Sequence, residues 1–114
     1  MSSLANLEPS IRLSFQNPSS EKTSVFGKGI SDLCRGVRSK GSLNAAAKDI
    51  GMAYSKAWRI IKETEDALGA QLLIRDGAHG SELTPEGKQL LDTHDAMSEK
   101  LSQEAVKLYE KLSK

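Results

Sequence analysis

The stretch GSLNAAAKDIGMAYSKAWRIIK, from Gly41 to Lys62, decides how the whole chain reads. Ser42 stands where a short helix would take its N-cap, since its hydroxyl can accept from a backbone N–H left unpaired in the first turn. Leu43, Ala46, Ala47 and Ile50 recur at helical spacing and give this helix an apolar face. Three consecutive alanines favour helix and let another backbone come close. Gly51 ends the helix abruptly. Met52-Ala53 leads into a longer helix from about Tyr54 to Leu68, with Ala57, Ile61, Thr64 and Leu68 inward and Gly69 as its stop. The opposite side carries Tyr54, Ser55, Lys56, Trp58, Arg59 and Lys62. A short alanine-rich helix, a tight glycine turn and a polar-faced helix form a helix-turn-helix.

The flanking segments extend this unit on both sides. Between Lys28 and Arg38, the residues Ile30, Leu33, Cys34 and Val37 make one apolar stripe on a preceding helix, which Gly41 terminates. Gly36 weakens that helix and leaves room for a neighbour to approach. Ile11, Leu13 and Phe15 alternate with polar residues at the period of a half-buried strand, closed by the turn Asn17-Pro18-Ser19-Ser20. Residues 1–9 show no periodic pattern and are expected to be loose. After Gly69, Leu72-Leu73-Ile74 and Ser81-Glu82-Leu83 read as two strands around the turn Arg75 to Gly80. Thr84-Pro85 opens a last helix, threonine as N-cap and proline at the first helical position. Its stripe is Leu90, His94, Met97, Leu101, Ala105, Leu108 and Leu112. A helix this long outreaches a small domain, so much of the stripe calls for a second chain to bury it.

The expected fold is therefore mainly α with a small β-hairpin wing: a winged helix-turn-helix followed by a long C-terminal dimerisation helix. Residues 1–9 form the N-terminus, 10–83 the winged domain with its N-terminal strand, and 84–114 the long helix. One domain suits 114 residues. With 38% hydrophobic and 27% charged residues, the composition is that of an ordinary globular protein. No apolar run is long enough to span a bilayer, and the first residues carry neither the basic start nor the apolar core of a signal peptide. A lone cysteine, Cys34, excludes an internal disulfide, and no Cys/His cluster has metal-ligand spacing. A reduced cytoplasmic protein with no membrane contact fits these features.

Net charge is +1, but it is unevenly distributed. Between Lys28 and Lys62 there are eight basic residues (Lys28, Arg35, Arg38, Lys40, Lys48, Lys56, Arg59, Lys62) against Asp32 and Asp49, hence 8 − 2 = +6. A concentrated basic segment is the footprint of a surface that meets phosphates, although charge alone leaves a solvated basic face open. A helix anchored on one face and basic, hydroxylated and small on the other is the shape that enters the major groove of double-stranded DNA. Glu63, Glu65 and Asp66 fall in its C-terminal half, away from the end that meets base edges. The sequence offers no nucleophile elbow, P-loop or paired metal ligands, so an enzyme is not expected, nor is a cofactor. A winged-helix module used only for protein–protein contact is the alternative, and the basic stretch argues against it.

The run from Gly41 to Leu91 resembles the DNA-binding domain of the molybdate-responsive (ModE-type) regulators, and more distantly that of the LysR-type regulators. GSLNAAAKDIGM, the pair Ala57-Trp58, ALGAQLLIR and LTPEGK carry the resemblance. It implies a sequence-specific DNA-binding transcriptional regulator: a homodimer on a pseudo-palindromic operator, reading with the third helix and touching the backbone with the wing. The matching positions are Ser42, Tyr54, Ser55, Lys56, Trp58, Arg59 and Lys62, with Arg75 and His79 in the wing. The implied dimer is joined through Ile11 and Leu13 in the N-terminal strand region and through Leu90, His94, Met97, Leu101 and Leu108 on the long helix. Ala53 departs from the serine of many relatives, which leaves the third helix without a side-chain cap. ModE-type regulators carry oxyanion-binding domains after the long helix; with the sequence ending at Lys114, no bound molybdate is expected.

Several of these residues admit a second reading from the residues alone. Trp58 sits at the border of the buried and exposed faces and can serve either the core or the DNA. His79 is a phosphate donor or a solvated loop histidine. His94 is an interface residue or a satisfied core residue. Arg75 either touches DNA or pairs with Asp76 or Glu82.

Overall fold

In a computed structural model of the chain, residues 3–77 and 80–114 are described. Three helices, α1 (Lys28–Lys40), α2 (Leu43–Asp49) and α3 (Tyr54–Leu68), precede a two-stranded antiparallel hairpin, β1 (Leu73–Asp76) and β2 (Gly80–Leu83). A fourth helix, α4 (Pro85–Leu112), runs 28 residues to near the C-terminus. Cross-strand pairs run from Leu73↔Leu83 to Asp76↔Gly80. This is the winged helix-turn-helix with its long terminal helix that the sequence pattern implies.

The core is a single cluster where the apolar faces of α1, α2 and α3 meet the root of the hairpin and of α4. Phe26, Leu33, Leu43, Ile61, Leu72, Leu73 and Leu91 are all fully buried in it. Burying one such side chain contributes about 1.5–3 kcal/mol, so this cluster holds the three helices to the hairpin and α4. Gly36 answers to close packing: a Cβ there would lie 2.6 Å from the Ala46 Cβ, so α1 and α2 touch where each has almost no side chain. Ser42 caps α2 as its position implies, accepting from Ala45 N–H at 3.0 Å. Gly41 and Gly69 close α1 and α3 with φ of 76° and 73°.

The Thr84-Pro85-Glu86-Gly87 turn locks the wing to α4. The Thr84 hydroxyl accepts from Gly87 N–H at 2.9 Å and donates to the Gln71 carbonyl at 2.5 Å, while Thr84 N–H donates to the Leu72 carbonyl at 2.9 Å. Gly87 is dictated by that last carbonyl, since a Cβ would sit 2.3 Å from the Leu72 oxygen. On the other side, Ser81 N–H donates to the Gly41 carbonyl at 2.9 Å and ties β2 to the α1–α2 turn.

Four features differ from the sequence pattern. The N-terminal alternation gives no strand within the single chain: Phe15 makes one isolated bridge with Phe26, and no further partner strand lies beside it among the described residues. Ser3–Asn6 form a 3-10 turn, and the Tyr109 hydroxyl donates to the Leu4 carbonyl near the far end of α4. Ile50, expected on the apolar face of α2, is 41% exposed because the helix has ended before it. Leu91 and Gly87, rather than Leu90, turn their face of α4 to the core, and Leu90 is only half-buried.

Within its own chain His94 takes the satisfied core place that was the alternative to an interface role. It is 7% exposed within its own chain, edge-on to Phe15 and Phe26 at 5.9 and 5.5 Å. Its Nε2 lies 2.9 Å from the Leu13 carbonyl and Nδ1 3.2 Å from Asp95, so it pins the N-terminal segment to α4. Beyond His94 the helix leaves the domain. The radius of gyration is 16.9 Å, against about 13 Å for a compact chain of this length. Met97, Leu101 and Leu108 are 38–49% exposed along this projecting part. Among the described residues no helix is long and apolar enough to cross a membrane.

Candidate nucleic-acid interface

Helix α3 is held by Ala57, Ile61, Thr64 and Ala67, all buried, with Leu68 half-buried in place of the expected inward position. Its N-cap residue, Ala53, makes no side-chain cap hydrogen bond, as its identity implies. With that face fixed, Tyr54, Ser55, Lys56, Arg59 and Lys62 all stand exposed on the other. Ser42 is half-buried, with its hydroxyl engaged in the α2 cap.

A groove of about 560 Å³ runs between α3 and the wing. Ser55, Trp58, Arg59, Lys62, Gln71, Leu73, Ile74 and Arg75 line it, so the structure brings five of the sequence-chosen residues to one surface. Trp58 is its centre. The indole is half-buried against the core, meets Tyr54 edge-on at 6.4 Å, and has the Lys62 ammonium and Arg75 guanidinium 5.2 and 5.1 Å from its ring. The indole N–H is closed to solvent and has no acceptor among the described residues, so it is not exposed to a phosphate. Arg75 lies over this ring, not beside Glu82. His79 lies outside the described residues.

Electrostatics redistribute the basic stretch. Arg35 donates to Asp95 at 2.6 and 3.2 Å and to Asp32 at 2.9 Å; Arg38 reaches Asp92 at 2.7 Å. Lys28 pairs with Asp32 at 2.9 Å. These three cations brace α1, two of them against α4, and do not belong to the α3 surface. Burial works against the Asp95 charge, but hydrogen bonds from Arg35 and His94 hold its carboxyl below the usual range. The Asp95 hydrogen bond in turn raises the Arg35 guanidinium above its ordinary value. Arg59 has Glu63 at 3.2 Å and Lys62 has Glu65 at 3.4 Å, both exposed at the cation. Lys40, Lys48 and Lys56 form no ion pair among the described residues.

One positioning residue escaped the sequence reading. Glu65 accepts from Leu72 N–H at 2.7 Å and Leu73 N–H at 3.2 Å, and so fixes the chain where it leaves α3 for the wing. An acidic residue one helical turn before a glycine stop and ahead of two leucines was the available signal. Cys34 is a core thiol, pushed up to about 12 by burial.

Residues 33–88 match the family model described as bacterial regulatory helix-turn-helix protein, lysR family. The match begins inside α1 and ends just after the Thr84–Gly87 cap, so it covers the helices and hairpin that build the groove. The HTH-type transcriptional regulator TdcA of Escherichia coli (strain K12) is 33% identical over 61 residues, 54% of this chain and 19% of that relative. The TdcA of Shigella flexneri matches to the same extent. The chain thus spans about a fifth of the length of these curated relatives.

Proposed function

We propose that this protein is a sequence-specific transcriptional regulator that binds double-stranded DNA as a homodimer. The match to the LysR-family model supports DNA binding and a regulatory role. One observation carries the reading further: the first half of α3 presents Tyr54, Ser55, Lys56 and Arg59 as an exposed polar face while Ala57 and Ile61 anchor the helix behind it. In this reading that half enters the major groove and meets base edges, and α2, capped by Ser42, sets its angle. Arg75 and the wing run along the adjacent backbone.

Dimerisation rests on the projecting part of α4. Met97, Leu101 and Leu108 lie seven or four residues apart and stay solvent-exposed, which is costly in a lone chain. Ile11, 41% exposed at the edge of the N-terminal segment, and the half-buried Leu13 and Leu90 extend this surface toward the domain. The likeness to molybdate-responsive regulators, carried by Ala57-Trp58 and Leu83-Thr84-Pro85-Glu86-Gly87-Lys88, supports the same dimer-on-palindrome geometry.

Salt dependence of duplex binding tests the proposal. Neutralising several phosphates releases counterions, so affinity should fall steeply and log-linearly with salt. Absent or salt-independent binding refutes it.

A further inference from the structure

The wing and the recognition helix must present their cations at a fixed spacing, and a long arginine on a hairpin has little to hold it. Carboxylates would hold it, as Asp95 and Asp92 hold Arg35 and Arg38, but they occupy the N–H donors and cancel the charge. The Trp58 ring offers another means. An aromatic face attracts a cation within about 6 Å without taking its hydrogen-bond donors. Arg75, on β1, lies 5.1 Å from the ring centroid and Lys62, on α3, 5.2 Å, the Lys62 ammonium also having the Glu65 carboxylate at 3.4 Å. Among the described side chains Arg75 meets no carboxylate within ion-pair distance.

The ring itself is well fixed. It packs on the core beside Ala57, its N–H is closed off, and Tyr54 abuts its edge at 6.4 Å. It sits in the wall of the groove between α3 and the wing, and both cations line the same groove. We propose that Trp58 is a positioning residue: it holds Arg75 and Lys62 over one ring as a paired clamp for the phosphates of a single DNA strand, coupling the wing to the recognition helix. Trp58 then acts through these two cations and not through its own contact with DNA. This rests on the DNA-binding reading above.

The test titrates the full chain and its variants into a fluorescein-labelled random-sequence duplex across a salt series, read by anisotropy. Each lost phosphate contact lowers the log–log salt slope by about 0.9, equivalent to about eightfold in affinity at 0.1 M salt. Arg75→Ala, which leaves the core untouched, should lose about one such contact. Trp58→Leu keeps an apolar side chain but removes the aromatic face, and should lose one to two. Trp58→Phe keeps a face and should stay within about twofold of the parent. Adding Arg75→Ala to Trp58→Leu should cost little more than Trp58→Leu alone, because the arginine is already unheld. A parental slope in Arg75→Ala, equal behaviour of the leucine and phenylalanine variants, or multiplying losses in the double variant would overturn the clamp while leaving DNA binding standing. If the parent itself shows no salt-dependent binding, the DNA reading falls and the clamp with it.

Discussion

Removing the Glu65 carboxylate should loosen the junction between α3 and the wing more than its position on a solvated-looking helix face suggests. Its side chain is only 10% exposed, and it receives N–H donors from Leu72 and Leu73, whose own side chains are fully buried. Glu65→Ala strands both donors. At about 1–3 kcal/mol per buried unsatisfied group, with some relief from water entering the space, the loss should be about 2–4 kcal/mol. Glu65→Gln retains an acceptor oxygen and loses only the charge assistance, about 1 kcal/mol. For a chain of this size about 4 °C of melting temperature accompanies each kcal/mol, so the alanine variant should melt about 8–16 °C early and the glutamine variant about 4 °C early. Urea and thermal unfolding would measure both at one fixed protein concentration, since self-association would shift the midpoints. An alanine variant within about 0.5 kcal/mol of the parent would show that the two N–H groups find other acceptors and refute the reasoning.

Further outcomes follow from single contacts. Gly87→Ala drives a Cβ into the Leu72 carbonyl and should cost about 1–3 kcal/mol or more, whereas Gly29→Ala, with open space around it in α1, should stabilise by up to about 1 kcal/mol; chemical denaturation separates the two. Cys34 should stay unreactive toward Ellman's reagent in the native state, because a thiol raised from 9.0 to about 12 is roughly one part in 10⁴ thiolate at pH 8. The same shift has a stability consequence. The folded thiol keeps its proton after the unfolded one has lost it, so its contribution is intact below about pH 9 and is lost as pH rises toward about 12. Leu101→Glu and Leu108→Glu should convert a sedimenting dimer to monomer, and a monomeric parent at micromolar concentration would count against the α4 interface.

Much of the fold was legible because its boundaries are local chemistry. Ser42 and Thr84 as caps, Pro85 at a first helical position and Gly41 and Gly69 as stops each act within a few residues, and each ends or begins an element where expected. What depends on distant partners was not legible. Period-two alternation in Ile11–Phe15 marks a half-buried extended segment, yet a strand needs a partner, and among the described residues Phe26 alone supplies a bridge. His94 fits an interface stripe by spacing, but Phe15 and Phe26 reach it from outside its helix and bury it.

The candidate interface divides the same way. Exposure of Tyr54, Ser55, Lys56, Arg59 and Lys62 follows from helical periodicity once Ala57 and Ile61 are inward. The basic stretch was misleading as a sum, because Asp92 and Asp95 lie far along the chain and come back to pair with Arg38 and Arg35. Trp58 was ambiguous for a related reason: the Arg75 that lies over its ring belongs to the hairpin, seventeen positions on.

The central claim is that the first half of α3 reads DNA. Its most direct test is selection of duplexes from a random pool, followed by titration of the selected duplex with the parent, Lys56→Ala and Arg59→Ala. The account predicts recovered half-sites about one helical turn apart and weaker binding by both variants. Both variants binding the selected duplex as tightly as the parent would contradict it.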